Sequence, residues 1–198
     1  MVEAEHRGHH SATNGGLDVN RLQIDALLLK TADGLRTQGS WCGETHLQKA
    51  TYLLQELLEV PTGFGFILYK HGPFSFDLRE ELASMRADDF LRIVPSPPYG
   101  PSLKLTKTGK DLLGRYPKTV ALYQEKISFV CQRLGSKGVG ELERLATALY
   151  VAREDPSSSP QERIKELLRL KPHISETDAS VAVETVDRYS HEAEAIQA

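Results

Sequence analysis

The chain turns from an extended segment into a helix within the stretch Tyr69-Lys70-His71-Gly72-Pro73-Phe74-Ser75. The preceding residues, 64–68, are rich in β-forming side chains, and Gly72-Pro73 supplies a bend. Ser75 is a residue type that caps helix N-termini. A structural turn accounts for most of these residues, whereas Lys70-His71 adds charge that a turn does not require. The stretch therefore allows two interpretations, a structural turn or a polar and aromatic surface that contacts a partner.

Helical patterns flank this stretch on both sides. Before it, one helix begins near Asn20, with Gln23 as its capping partner. A second begins at a capping box, Thr45-His46-Leu47-Gln48, and runs to about Glu59. After the stretch, a helix capped by Ser75 extends to about Leu91. Apolar residues recur every three or four positions, which predicts that each helix buries one face and leaves the other in water.

A loop with four prolines, residues 95–101, follows the third helix. A predicted strand, Ser102–Thr106, and a short helix, Thr106–Tyr116, come next. The order of helix, helix, strand, helix, proline loop and strand indicates a winged-helix-like unit, in which the loop and its flanking strands form the wing.

The residues beyond Tyr116-Pro117 have helical periodicity almost throughout. The predicted fold class is mainly α (α+β), with a winged-helix-like N-terminal unit that carries a short β-wing, followed by a helical C-terminal lobe. We expect three regions: a disordered leader over 1–17, the winged-helix-like domain over 18–116, and the helical lobe, packed on that domain, over 117–198. The apolar helices of the lobe are also compatible with a homodimer.

Composition argues against several classes of protein. The chain has 198 residues and two cysteines that form no CxxC pair, so neither a disulfide framework nor a zinc knuckle is indicated. No apolar run approaches the roughly 18 residues that span a bilayer. The N-terminal segment lacks the apolar core of a secretory signal. We expect a cytoplasmic protein with no membrane partner.

Catalytic motifs are not recognisable in the sequence. The nucleophile-elbow, phosphate-loop, dinucleotide and zinc-protease patterns do not occur. The adjacent carboxylates Glu80-Glu81 and Asp88-Asp89 point about 100° apart on a helix and cannot share a site. His191 and Glu194 share a helix face, but two ligands do not make a metal site. We therefore expect no catalytic residue, no metal and no cofactor, and a protein that acts by binding.

The distribution of charge helps to choose between a polypeptide and a nucleic acid as partner. The helix over 75–90 carries five acidic and two basic residues, so phosphates would repel it. The segment 102–118 carries five basic residues and one acidic residue, which suits a wing that contacts DNA. It equally suits a solvated helix or a patch that faces the acidic second half of the chain. The candidate nucleic-acid contacts are Lys104, Lys107, Lys110 and Arg115.

Three segments of the chain resemble a known family: Thr45–Gln55 (THLQKATYLLQ), Tyr69–Ser75 (YKHGPFS) and Leu103–Lys110 (LKLTKTGK). They are similar to the "KLQKLLYLL" helix, the "YGPFS" turn and the "LTxxG" segment of the small bacterial proteins typified by YwgA and, more distantly, of the SocA-like Panacea antitoxin domain. Residues 141–150 and 171–173 also look like C-terminal pieces of YwgA-like proteins. Ala50 departs from the pattern, which often has a bulky apolar residue after the lysine.

The resemblance implies a function by direct contact. YwgA-like proteins have no established activity, whereas a Panacea domain implies an antitoxin that neutralises a partner toxin. The predicted function is therefore a non-catalytic protein-binding module, antitoxin-like or defence-associated, and the alternative is a winged-helix DNA-binding transcriptional regulator. The resemblance places the partner surface near Gln48, Lys49, Tyr52, Tyr69, Lys70, His71 and Phe74.

Overall fold

The computed structural model of the protein describes residues 19–95, 97 and 100–197. The predicted leader over 1–17 lies outside the described residues, as does part of the proline loop. The described chain forms eight α-helices and four short β-strands. The helices are α1 (Arg21–Thr37), α2 (Glu44–Glu56), α3 (Phe76–Ala87), α4 (Lys107–Arg115), α5 (Pro117–Leu134), α6 (Val139–Glu154), α7 (Pro160–Leu170) and α8 (Glu176–Gln197). The strands are β1 (Ile67–Tyr69), β2 (Gly72–Phe74), β3 (Leu91–Val94) and β4 (Ser102–Leu105).

Two helices begin at the predicted caps. The Asn20 side chain accepts a hydrogen bond from Gln23 N at 3.1 Å, and Gln23 Oε1 accepts one from Asn20 N at 2.9 Å. This is the predicted capping box of α1. Ser75 Oγ accepts a hydrogen bond from Leu78 N at 3.2 Å and caps α3. Both caps are local, because donor and acceptor lie within three residues.

The capping box predicted at Thr45 is wrong. Helix α2 begins at Glu44, and its N-cap is Gly43, which lies two residues before Thr45 and has no side chain to cap the helix. Gln48 cannot complete a capping box because its side-chain amide bonds to Ser75, 27 residues away.

Both sheets are antiparallel hairpins of two strands. Leu68 lies opposite Pro73 where β1 pairs with β2, and Arg92 lies opposite Lys104 where β3 pairs with β4. The helix predicted to reach Leu91 ends at Ala87, after which the chain turns and enters β3. The β3–β4 hairpin flanks the proline loop. The fold is therefore mainly helical with a short β-wing, as predicted.

Helix α2 lies at the centre of the molecule. Nine consecutive residues, His46–Leu54, are buried, so the middle of this helix has no solvent-exposed face. The neighbours that pack against it are α1, α3, α5, α6 and β2. The prediction of a single apolar face is wrong for this helix, because tertiary packing encloses all of it. Gln48, Lys49 and Thr51 consequently lie inside the protein.

The N-terminal unit and the C-terminal helices share one hydrophobic core. Helix α1 packs along α5, and α2 packs along both α5 and α6. Helices α1 and α5 approach closely at Gly34, where a Cβ atom would lie 2.7 Å from Cys131 Sγ. The same sulfur lies 3.5 Å from Thr31 O. This packing brings α6 and the segment after α7 against the β1–β2 hairpin.

Candidate functional site

The stretch from Tyr69 to Ser75 forms most of the β1–β2 hairpin, hereafter the hairpin, with Lys70-His71 as its two-residue turn. Gly72 follows the turn with φ +80°, a left-handed conformation that glycine adopts without steric cost. A Cβ atom there would lie 2.9 Å from Thr147 Oγ1 and 3.3 Å from Glu143 O, both on α6. The hairpin therefore packs against α6 at Gly72. Both the backbone conformation of this residue and the space around it require glycine.

Two side chains of α2 hold the outer edge of β2. Gln48 Nε2 donates to Ser75 O, and Gln48 Oε1 accepts from Ser75 N, both at 2.9 Å. The amide thus pairs with the backbone as a neighbouring strand would. Lys49 Nζ donates to Pro73 O at 2.7 Å. An isolated hairpin of two strands is marginally stable in water, so these bonds attach it to the helical core.

A buried ionic cluster lies beneath the turn. Lys171 Nζ lies 3.2 Å from Glu143 Oε1, and both side chains are buried. The same Nζ donates to Tyr69 O at 2.8 Å and to Lys70 O. Burial lowers the pKa of Lys49 to about 8, an effect that the nearby Glu143 carboxylate opposes. Lys171 thus pairs with the buried Glu143 carboxylate, and Lys171 and Lys49 together bind three backbone carbonyls of the hairpin.

Two exposed histidines flank the Glu143 carboxylate. His71 Nδ1, in the turn, lies 3.4 Å from Oε2, and His173 Nε2 lies 3.5 Å from Oε1. Each histidine forms an ion pair with the carboxylate only when it is protonated. Lys171 also contacts this carboxylate, which disfavours a metal ion. In the described part of the chain, no group of three or more His, Cys, Asp or Glu side chains is arranged to hold one.

The opposite side of the hairpin is apolar and exposed. Ile67, Tyr69, Phe74 and Phe76 form this surface, hereafter the aromatic face. The ring centroids of Tyr69 and Phe74 are 5.8 Å apart, those of Tyr69 and Phe76 are 5.7 Å apart, and those of Phe74 and Phe76 are 5.1 Å apart. Ile67 is 51% exposed, Tyr69 46% and Phe76 45%. A contiguous group of exposed aromatic side chains is typical of a protein interaction site.

The structure brings four of the seven predicted partner-binding residues to the hairpin surface. Tyr69, Lys70 and His71 are exposed, and Phe74 is half-buried within the aromatic face. Tyr69 and Phe74 are in contact, whereas Lys70 and His71 lie at the turn beside the ionic cluster.

The other three predicted partner-binding residues are buried. Gln48 and Lys49 support the hairpin from inside, and the Tyr52 ring packs edge-on against Phe66 at 5.0 Å. Their predicted place on a contact surface is therefore wrong. The physical reason is the enclosure of α2, which leaves none of its middle residues facing water.

Sequence reasoning missed four residues of this site. Ile67 and Phe76 complete the aromatic face, and Glu143 and Lys171 form the ionic cluster. One signal was available for Glu143: it lies three residues before Ala146, on the same face of a helix with many buried residues. A carboxylate in that position is seldom buried without a partner. Lys171 carries no comparable signal, because it ends α7 and is positioned by residues distant in sequence.

The four predicted nucleic-acid contacts lie on β4 and α4. All are exposed, and none forms an ion pair with another described residue. Helix α4 packs mainly on α1, α5 and β4, so its packing does not support the interpretation that these residues face the acidic segment 141–198. Sequence reasoning missed Arg92, which is exposed on β3 directly opposite Lys104. The contacts are Lys104 on β4 and Lys107, Lys110 and Arg115 on α4.

No helix in the described residues combines the length and apolar character needed to cross a bilayer. No protein-family model matches the chain, and no curated protein matches it with significant similarity. The resemblance to YwgA-like and Panacea proteins therefore stays a prediction, and the geometry of the hairpin provides the basis for a functional proposal.

Proposed function

We propose that the protein is a non-catalytic protein-binding module that contacts its partner through the aromatic face. One observation carries this proposal: Ile67 and Tyr69 are exposed on a hairpin whose backbone is bound by buried side chains, and Phe76, the first residue of α3, is exposed beside them. Aromatic side chains supply much of the binding energy at protein interfaces. A hairpin that is already ordered loses little conformational entropy on binding. The site therefore has both the surface and the rigidity that a binding module needs.

An antitoxin-like or defence-associated role is compatible with this mode of action. An antitoxin of this kind neutralises a toxin by contact alone and needs no catalytic group. This part of the proposal rests on the resemblance of Tyr69–Ser75 and the two accompanying segments to Panacea domains.

Replacement of Tyr69 and Phe76 by serine tests the proposal. We expect the double variant to bind the partner at least about 30-fold more weakly, because truncation of interface anchors typically costs 2 kcal/mol or more. Partners would be captured from the source cells with the native protein, identified, and titrated against each variant.

Leu122→Ser and Val181→Ser are matched controls, because both residues are 56% exposed on helices distant in sequence from the hairpin. These variants should bind as the native protein does. Retention of full affinity by the Tyr69/Phe76 double variant would show that the aromatic face is not the binding site.

DNA binding is a second candidate function, and the electrostatics of the wing favour it. Arg92 and Lys104 are like charges in directly opposed positions, which destabilises a strand pair unless an anion lies nearby. Lys107 occupies the first turn of α4, where the helix dipole favours an anion. A phosphate backbone across the wing would relieve both conflicts.

The acidic residues over 75–90 repel DNA less strongly than the sequence of that segment alone suggests. Arg21 of α1 pairs with Glu81 at 2.9 Å and with Asp88 at 3.2 Å. Two of the five acidic residues over 75–90 therefore already have a cationic partner from another helix.

Fluorescence anisotropy with duplex DNA at low and moderate salt tests this second candidate. If the wing binds phosphates, affinity should fall steeply with salt, and Arg92→Gln/Lys104→Gln should reduce the salt dependence. Lys165→Gln, which removes an exposed lysine of α7, is the control and should leave binding unchanged. If the native protein does not bind at low salt, this candidate is wrong.

A further inference from the structure

Strand β1 leaves one edge of its sheet without a partner strand in the described chain. On β2, Pro73 O and the backbone groups of Ser75 point away from β1, toward Lys49 and Gln48. Leu68 lies opposite Pro73, so by the alternation of antiparallel pairs its N–H and C=O point away from β2. Within the described residues, no backbone hydrogen bond joins Leu68 to another element. An edge of this kind is a template for an additional strand.

A groove of about 490 Å3 lies beside this edge. Leu68 forms part of its wall, and Tyr150 of α6 and Leu170 of α7 add apolar surface. Because side chains alternate along a strand, Ile67 and Tyr69 project to the other side of the hairpin. An added strand would therefore direct successive side chains alternately toward the groove and toward the aromatic face.

The groove is acidic. Arg169 pairs with Glu166 at 2.7 Å, and Arg163 pairs with Asp187 at 2.9 Å, so both guanidinium groups of the groove already have carboxylate partners. The Glu154 carboxylate has no hydrogen bond or ion pair with any described residue. The groove thus presents unneutralised negative charge, which favours a cation as its ligand. The carboxylates that line it are Glu154, Asp155, Glu162 and Glu166.

We propose that the partner protein docks an extended segment along the free edge of β1 as a third strand. In that strand a lysine or arginine enters the acidic groove, and the apolar residues on either side of it cover the aromatic face. This inference rests on the proposed function and specifies its partner as a polypeptide with alternating apolar and basic residues. Hydrogen bonds to the backbone of Leu68 provide affinity, and the two unlike surfaces provide specificity.

The charge of the groove favours this occupant over a second copy of the chain. Pairing β1 with β1 of another copy brings two acidic grooves to the same edge, which is electrostatically unfavourable. In such a dimer, the Leu68 side chain of the other copy would lie beside each groove, where the charge of the groove favours a cation.

The test uses a five-residue peptide of alternating valine and arginine with blocked ends. It is titrated into the 15N-labelled full-length protein to about 1 mM, a concentration that detects weak binding. We expect saturable shifts of the Leu68 amide and slower hydrogen exchange at that amide. A matched peptide with glutamate in place of arginine should bind at least about tenfold more weakly.

Three variants separate the contributions to binding. Leu68→Pro removes the outward N–H and should abolish binding of the arginine peptide, while Leu68→Val keeps the N–H and should bind within about threefold of the native protein. The amide shifts of Gly72 and Phe74 report whether the hairpin survives each change. Glu154→Gln leaves the backbone unaltered and should weaken binding of the arginine peptide but not of the glutamate peptide.

Any of three results overturns the inference: no binding of the arginine peptide to the native protein, equal binding by Leu68→Pro, or a homodimer that Leu68→Pro dissociates. The proposed function is tested independently of the added strand. If Tyr69→Ser/Phe76→Ser loses the captured partner while Leu68→Pro retains it, the aromatic face is the binding site and the added strand is wrong.

Discussion

Lys49, Glu143 and Lys171 show how single residues in the core determine the shape of the surface. Each is buried, and each would be costly to desolvate alone. Together they compensate one another, and their remaining donors are satisfied by backbone carbonyls of the hairpin. The geometry of the hairpin that carries the aromatic face therefore depends on residues buried beneath it.

Glu143→Gln should destabilise the protein by about 3 kcal/mol, because it leaves the buried Lys171 without its ion-pair partner. Urea denaturation of the native and variant proteins would measure the difference in the free energy of unfolding. Glu166→Gln is the matched control, since it removes a partly exposed carboxylate from its pair with Arg169 and should cost less than about 1 kcal/mol. Equal effects of the two substitutions would contradict the structural role given to the ionic cluster.

Asp25 is a second buried acid, on α1. It is fully buried, and neither of its carboxyl oxygens has a hydrogen-bond partner in the described chain. Burial, and to a smaller extent the neighbouring Glu81 carboxylate, raise its pKa from 3.8 to about 7. Folding therefore favours the protonated form of this side chain.

This shift predicts how stability depends on pH. Because the pKa of Asp25 is higher in the folded chain than its ordinary value of 3.8, its contribution to stability is fully present below about pH 4 and is lost as the pH rises through 7. Asp25→Asn stays neutral, so between pH 5 and pH 8 it should gain about 2 kcal/mol relative to the native protein. Urea denaturation at both pH values measures this. Asp33→Asn, on the exposed side of α1, should show no such gain.

At the scale of secondary-structure elements, the hairpin is stabilised less by its own two strands than by the elements around it. Helix α2 binds the outer edge of β2, α6 packs against Gly72, and Lys171 after α7 binds the turn. A two-stranded element of three residues per strand would not persist alone. Its geometry is therefore set by three neighbours.

Gly72→Ala should lower the free energy of unfolding by about 2 kcal/mol, because alanine disfavours a φ of +80° and its Cβ would crowd Thr147. Gly114→Ala provides the contrast, since this glycine lies within α4 with open space around its Cβ position. There, alanine should stabilise the protein by up to about 1 kcal/mol. Thermal and urea denaturation would show opposite signs, and a shared sign would contradict this account.

At the scale of the whole molecule, one core joins the two halves of the chain. Helix α1 packs along α5, and α5 and α6 enclose α2. Helices from both halves of the chain therefore contribute side chains to one core. The N-terminal unit on its own would expose much of this apolar surface to water.

The full-length protein should consequently unfold in a single cooperative transition, and residues 19–116 alone should not. Urea denaturation followed by circular dichroism and by the fluorescence of Trp41 would test both statements, since the two probes should give coincident curves only for the intact chain. A cooperative transition of the isolated segment would show that the winged-helix-like unit is an independent domain.

Local chemistry within the sequence determined where several elements begin and what the fold class is. The caps at Asn20 and Ser75 depend on hydrogen bonds that span three residues, so their residue types predict them. The predicted cap at Thr45 failed, because the partner of Gln48 is distant in sequence. The bend predicted at Gly72-Pro73 was wrong, because these two residues belong to β2 and the turn is Lys70-His71. The chain does reverse direction within Tyr69–Ser75, and this stretch contributes Tyr69 and Phe74 to the site.

Tertiary structure alone decided which polar residues face water. The apolar spacing of α2 predicts one wet face, but five elements enclose the helix and put Gln48, Lys49 and Tyr52 inside. It also decided that Ile67 and Phe76 lie beside Tyr69, and that Glu143 meets Lys171 beneath them. The Glu143–Lys171 contact and the enclosure of α2 join segments far apart along the chain, and the Tyr69–Phe76 contact joins a strand to the next helix across the turn. Helical periodicity predicts neither kind of contact, because it reports only on neighbours three or four residues away.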